Sequence, residues 1–235
     1  MNPLLTRHPV RSQVAQHHLL GASTGYMADQ RGHWQSLIER AEAATPRAVE
    51  LSALSGPELE PLLEYLERLA QPLPFIYVSV HGPAKHLVVS EPELVEHLSR
   101  LPTQVQSVVL HPDVLKDIDA LRSLGPLVVL ENMDHRSTTA RTVSELVKFF
   151  DALPEAGFCL DVAHITAIDP AMRLAHDLLD AFGGRLREVH ISSFERDPAR
   201  HVPLTDQDIE RFAPVLKRCS GVPWILEAPL PGLDD

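Results

Sequence analysis

Apolar positions along this chain fall into short runs that alternate from end to end with longer amphipathic stretches. Leu19–Thr24, Arg47–Leu51, Pro74–Val80, Val105–Leu110, Leu127–Leu130, Gly157–Leu160, Leu186–Ile191 and Val222–Leu226 are runs rich in Val, Leu and Ile. That is the pattern of strands buried on both faces. Between them the spacing turns helical. In His33–Ala44, the residues Trp34, Leu37, Ile38 and Ala41 share one face. Ser55-Gly-Pro57-Glu58 and Ser90-Glu-Pro92-Glu93 read as capping boxes that open the next two helices, the first running to about Ala70. Pro112–Leu124, Thr142–Leu153, Pro170–Phe182 and Thr205–Arg218 complete the helical set, and Ser192–Pro203 reads as a polar loop. Residues 1–18 read as an irregular arm, 19–235 as one domain, and Pro229 onward as a tail within it.

The result is eight strand–helix units of roughly 29 residues each. Such alternation favours right-handed crossovers and a parallel sheet. Eight units favour an α/β fold of the closed (β/α)8 TIM-barrel type, with the site at the C-terminal ends of the strands. A doubly wound open sheet is the alternative. Its glycine-rich phosphate turn is missing here, because Gly21-Ala-Ser-Thr-Gly25 does not have the required spacing.

The strand ends then change the picture. Tyr77–His81, Ser107–His111, Leu127–Glu131, Phe158–Asp161, Arg187–His190 and Trp224–Glu227 each finish on His, Glu or Asp. One such residue means little, since strands normally stop in polar turns. Six converging on one rim would crowd like charges into a small dry space, at a cost of several kcal/mol per unpaired carboxylate. A divalent cation removes that conflict. Mixed imidazole and carboxylate ligation suits zinc, manganese, iron or cobalt, in one to three ions. His81, His111, Glu131, Asp161, His190 and Glu227 are therefore expected metal ligands. His164, three residues past Asp161, reads as a ligand or a positioning group, and His201 and Arg196 follow strand seven. Lys85 could meet a phosphate, and Glu50 either faces the cavity or pairs with a basic neighbour.

Composition narrows the partners. Net charge is −11 with only 21 Lys and Arg, and no basic run. Nucleic acid binding rests largely on phosphate neutralisation, so a small-molecule substrate is expected instead. Two cysteines without a Cys-x-x-Cys pair, and no stretch with the length and apolarity of a signal or membrane span, point to a cytoplasmic protein.

At these motifs the sequence resembles the xylose-isomerase-like TIM-barrel superfamily, which includes sugar isomerases, epimerases and the endonuclease IV family (AP endonuclease family 2). The resemblance runs from about Leu19 to Glu227. It implies that Glu131, Asp161, His190 and Glu227 surround one metal, as in the epimerase branch, with Glu131 and Glu227 also the catalytic acid/base pair. His164 and Arg196 would then bind substrate. Asp161-Val-Ala-His164 matches the Asp-x-x-His shared by both branches. His81 in Val-His-Gly-Pro and His111 in Leu-His-Pro match the ligands of a second metal in endonuclease IV, bridged by Glu131. His164 and His201 match two ligands of a third, whose Asp-x-His partner is replaced here by Ala199. The leading expectation is an isomerase or epimerase of small sugars acting through an enediolate. The alternative is a multinuclear metal phosphoesterase, and the third reading is a non-catalytic metal- or ligand-binding barrel. Related barrels often pair, so a homodimer is expected.

Overall fold

A computed structural model describes residues 18–27, 30–84, 87 and 89–229. Among them no helix is long and apolar enough to cross a membrane. Of the expected arm only His18 is described, and its ring stacks on Trp224 at 4.2 Å.

Eight parallel strands close into a barrel: β1 (Leu20–Ser23), β2 (Ala48–Ser52), β3 (Tyr77–His81), β4 (Val105–Leu110), β5 (Val128–Glu131), β6 (Gly157–Asp161), β7 (Leu186–Ile191) and β10 (Trp224–Leu226). Sequential strands are neighbours throughout, and β1 pairs with both β2 and β10 to shut the ring. The expected (β/α)8 architecture is what forms. Its period-two alternation sorts the side chains. Val78, Val80, Leu110, Leu130, Leu160 and Val189 belong to the large core between strands and helices. Their sequence neighbours face the barrel axis. Ala48, Tyr77 and Ile225 pack into one small cluster, and Val109, Val129 and Cys159 into another.

The helices are α1 (Trp34–Ala44), α2 (Gly56–Glu67), α3 (Glu91–Leu98), α4 (Val143–Ala152), α5 (Val162–Ile168), α6 (Arg173–Phe182) and α7 (Asp206–Leu216). The expected stripe of α1 is buried as read, through Trp34, Leu37, Ile38 and Ala41.

Four local expectations fail, each for a physical reason. Pro112–Leu124 is not an α-helix. It is two 3-10 stretches, Pro112–Val114 and Ile118–Leu127, the second broken at Gly125. The Glu91 carboxylate accepts the backbone N–H groups of Lys116 and Asp117 at 2.6 and 3.1 Å, which diverts amides a continuous helix would use. The capping boxes at Ser55 and Ser90 do not form. Ser55 donates to the Glu58 carboxylate instead of accepting an amide. The box that does form is Thr205 with Asp208, at the head of α7. The helix expected from Pro170 starts at Arg173, because Asp169 is bent away from helix by Pro170 and its carboxylate accepts from Ala171 and Leu174. The helix α5 precedes it. Finally, Ser192–Pro203 is a β-hairpin, β8 (Ser193–Arg196) against β9 (Ala199–Val202), with a cis Asp197–Pro198 bond between the strands.

Closure leaves little space beside β1. A side chain at Gly21 would place its Cβ 2.6 Å from Ile225 Cδ1 and 3.0 Å from Ala48 Cβ, one neighbour in each flanking strand. Gly21→Val should therefore destabilise the fold by about 1–3 kcal/mol, read as a lowered denaturation midpoint at unchanged slope. A midpoint equal to the parent's would show that the seam has more room than the structure gives it.

Candidate metal centre

The strand ends deliver their side chains to one cavity. Glu131 ends β5, Asp161 ends β6, His81 ends β3, His190 lies in β7, and His111 and Glu227 directly follow β4 and β10. His164 is not in a loop, as the sequence suggested, but in the first turn of α5. Asp161 caps that helix, its Oδ1 accepting the His164 N–H at 2.7 Å. His201 comes from β9 of the hairpin.

Glu131 sits at the centre and is fully buried. Its two oxygens face different partners. Oε2 lies 3.3 Å from His81 Nε2 and 3.1 Å from His111 Nε2. Oε1 lies 3.2 Å from His164 Nδ1 and 3.6 Å from His190 Nδ1. His190 Nδ1 is also 3.4 Å from Glu227 Oε2. Asp161 Oδ2 is 3.7 Å from His164 Nδ1.

Three imidazoles have one nitrogen hydrogen-bonded within the protein, and a fourth, His190, faces a carboxylate. His81 Nδ1 meets the Gly82 carbonyl at 2.9 Å, and His164 Nδ1 meets the Asn132 carbonyl at 2.8 Å. His201 Nδ1 contacts Ser192 Oγ at 2.7 Å, and His190 Nε2 lies 3.0 Å from Glu50 Oε2. Holding one ring nitrogen sets the tautomer and aims the other, which is how proteins prepare histidine ligands. Asn132 adds a reciprocal clamp. Its amide donates to the Asp161 carbonyl and accepts the Asp161 N–H, at 3.0 and 2.9 Å.

The electrostatics are those of a cage short of positive charge. Burial opposes ionisation of Glu131, yet His111, His190 and His164 hold it well below the ordinary carboxylate range. Glu227 is likewise buried, but His190 and His201 bring it to about 2. Asp161 goes the other way, raised by burial and by Glu131 and Glu227. Burial disfavours charge on His81 and His164, but neighbouring carboxylates raise them to about 9 and about 10. His190 is raised well above its usual value against the same burial, and burial pushes His201 down to about 4. Beneath His190, Glu188 accepts from Tyr77 at 3.2 Å and is raised to about 7 by burial and by Glu50.

These residues fit divalent ions. Both Glu131 oxygens, Asp161 Oδ2 and His190 Nδ1 are buried without a hydrogen-bond partner, a debt that metal ligation would discharge. Among five sets of donor atoms in the described residues that each lie within 4.8 Å of one another are Glu131, Asp161, His190 and Glu227; His81, His111 and Glu131; and Asp161, His164 and His201. All seven expected ligands are thus brought together. The expected substrate contacts fare differently. His164 faces the cavity, but Arg196 does not line it, and its Nη2 donates to the Ala167 carbonyl at 2.9 Å. Lys85 lies outside the described residues.

Sequence reading missed several residues around the centre. Glu50 was left undecided, although its place in the β2 alternation carried the signal. Asn132 had only its position beside Glu131. Tyr26 follows β1 in a 3-10 turn (Thr24–Tyr26) and lines the cavity, its ring 5.6 Å from that of His201. Burial, then Glu227, Asp161 and Glu131, hold its phenol protonated.

Comparison with known proteins agrees with this architecture. The family model described as a xylose isomerase-like TIM barrel matches residues 112–232. No curated protein matches significantly. Among solved structures, that of AsfvAP:AG shares 14% identity at a TM-score of 0.55, over 90% of this chain and 91% of that one. A xylose isomerase-like TIM-barrel protein from Mycobacterium smegmatis, in complex with magnesium, shares 14% at a TM-score of 0.52, over 84% and 82%. An uncharacterized protein from Parabacteroides distasonis shares 14% at 0.55, over 91% of each chain. At such identities the likeness is one of fold.

Two measurements test the cage. In metal-free protein His81 and His164 have folded pKa values of about 9 and about 10, above the unfolded value near 6.5. Their contribution is complete below about pH 6.5 and is lost as pH rises toward 9–10. Glu188, raised to about 7, works in the same direction, losing its contribution between about pH 4.5 and 7. Glu227, lowered to about 2, contributes above about pH 4.5 and is lost on acidification toward pH 2. The melting temperature of chelator-treated protein should therefore fall from pH 6.5 to 9, and added Zn²⁺ or Mn²⁺ should restore it. A melting temperature flat across that range, with or without metal, would contradict the cage. Separately, Glu50→Gln removes the charge that orients His190 and should weaken metal affinity about 10–100-fold, measured by competition with a chromogenic chelator.

Proposed function

This chain belongs to the xylose isomerase-like TIM-barrel family, as the match over residues 112–232 establishes, and from that premise we propose that it is a metal-dependent phosphoester hydrolase of small substrates. The observation that carries this reading is the placement of Glu131. Its Oε2 faces Nε2 of His81 and His111, while its Oε1 faces His190 Nδ1, which is grouped with Asp161 and Glu227. A carboxylate with a ligand set on each oxygen is built to bridge two cations. A one-metal isomerase uses Glu131, Asp161, His190 and Glu227 and leaves His81 and His111 idle. The expectation of an isomerase, which led the sequence reading, therefore becomes the second reading here.

Divalent ions held by these ligands supply activation of water and neutralisation of charge on a phosphoryl group. The protein's own groups set the rest. Glu131 and Asp161 each belong to two ligand sets, so they would be shared between ions and tie the sets into one site for a phosphoryl group. The hydrogen bonds to Nδ1 of His81, His164 and His201, and the Glu50 carboxylate beside His190, keep those rings from turning as charge builds up. Tyr26, held protonated, can donate a hydrogen bond to an oxygen that gains charge. The hairpin β8–β9 brings His201 to the cavity from the side and narrows its mouth, which limits access of bulk water. The cavity of about 830 Å³ takes a small organic phosphate, and a net charge of −11 disfavours a long polyanion.

The test is metal content together with hydrolysis of bis(p-nitrophenyl) phosphate, on protein purified without a metal-affinity tag. Two or three ions per chain are expected. His81→Ala and His111→Ala should each lose an ion and lower the hydrolysis rate by at least about 10–100-fold. One ion per chain, unaffected by either substitution, would overturn the reading. In that case solvent deuterium exchange into aldoses and ketoses, abolished by Glu131→Gln or Glu227→Gln, would establish the isomerase.

A further inference from the structure

The same cavity has a second pole that metal chemistry does not use. Its floor is the carboxylate and imidazole cage. Its rim carries Arg31 from the segment after β1, Arg136 from the segment after β5, and Arg200 from β9. Three separate segments thus contribute an arginine to the lining of one cavity, in a chain with only 21 Lys and Arg.

Each guanidinium is anchored by a carboxylate and left partly open. Arg31 Nη1 donates to Glu58 at 3.0 Å, Arg136 Nε to Asp134 at 2.7 Å, and Arg200 Nε to Glu195 at 2.5 Å. The side chains remain 47%, 54% and 62% exposed. A guanidinium has five donors, so one anchored edge leaves N–H groups for a ligand, already oriented. Asp113 and Asp134 also line the cavity. Asp134 is tied to Arg136 through both the side chain and the backbone N–H, which leaves Asp113 as the acid on this rim without such an anchor role. The pairs of Arg31 and Arg200 are partly solvent-exposed on both partners and that of Arg136 on the arginine side, so a ligand anion can share each guanidinium without breaking its anchor.

We infer that the substrate is a small molecule with two anionic groups, a phosphoryl group reacting at the Glu131 floor and a distal phosphate or carboxylate held by Arg31, Arg136 and Arg200. This rests on the phosphoester reading for the reacting end, whereas the rim site itself stands on the arginines. Arg136 and Arg200 are the specificity-determining pair, since Arg136 is fixed by a buried acid and Arg200 rides on the hairpin that carries His201.

The experiment reads binding, not turnover, so it is independent of the hydrolysis assay. Metal-loaded protein is titrated calorimetrically with α,ω-alkane bisphosphonates of three to six carbons, with the matching monophosphonates, and with ω-carboxyalkyl phosphonates. At the best chain length the doubly anionic ligand should bind at least about tenfold tighter than the monophosphonate. Whether the phosphonate or the carboxylate tail gains more identifies the distal group. Arg136→Gln with Arg200→Gln should erase the advantage, and Arg136→Lys with Arg200→Lys should keep part of it. An advantage absent in the parent, or retained in the double Gln variant, would overturn the inference. So would a short oligodeoxynucleotide that outcompetes every bisphosphonate, because the rim would then serve a polymer backbone. Failure of bis(p-nitrophenyl) phosphate hydrolysis alongside intact bisphosphonate selectivity would count against the reaction and leave the rim site standing.

Discussion

Everything at the top of this barrel depends on keeping Glu131 ionised where there is no water to solvate it. Burial alone would protonate that carboxylate. The imidazoles around it reverse the outcome, and four of the five in the cage meet a further protein group on a ring nitrogen. The Gly82 and Asn132 carbonyls, Ser192 and Glu50 are therefore as much part of the centre as the ligands. Glu227 keeps its charge in the same way, through His190 and His201, whereas burial and its two acidic neighbours push Asp161 toward the protonated form. Five histidines and three carboxylates in one cage are mutually compatible only when the balance of positive charge is made up by protons or by metal.

The demand reaches down the barrel axis. His190 links the rim to Glu50, and below it Glu188 accepts from Tyr77, which in turn donates to Ser107. Barrels of this kind usually fill their interior with branched apolar side chains. Here one side of the interior does so, through Val109, Val129 and Cys159, while the β2, β3 and β7 side is polar. The barrel gives up some apolar burial there and gains a support for the one histidine common to the deepest ligand set.

The architecture was legible in the sequence because it rests on two robust signals, the alternation of strand and helix and the polar residue closing each strand. Glu131, Asp161, His190, Glu227, His81 and His111 could be found that way, since the parallel barrel puts every strand end on one rim. What escaped was whatever depends on side-chain direction or on non-local hydrogen bonds. Arg196 has the sequence position of a substrate contact, but the hairpin geometry turns it toward the Ala167 carbonyl. Arg200, four residues on, is among the residues that line the cavity. The hairpin itself was hidden because its residues are polar and carry no apolar period. The segment after His111 looked helical by spacing, yet Glu91 captures its amides from another element. No local pattern records such a long-range capture.

The seam between β1 and β10 has one more consequence. Leu20 pairs with Trp224 and Ala22 with Leu226, contacts between opposite ends of the described chain. Glu227 stands immediately beyond that last strand. The final ligand therefore arrives only when the ring shuts, and pairings this distant in sequence are the slow ones in folding. A nascent or partly unfolded chain can offer Glu131 and its histidines, but not the complete cage. Metal retention would then report whether the whole barrel has closed, and a chain opened at this seam would have lost the Glu227 ligand while most of its secondary structure was still in place.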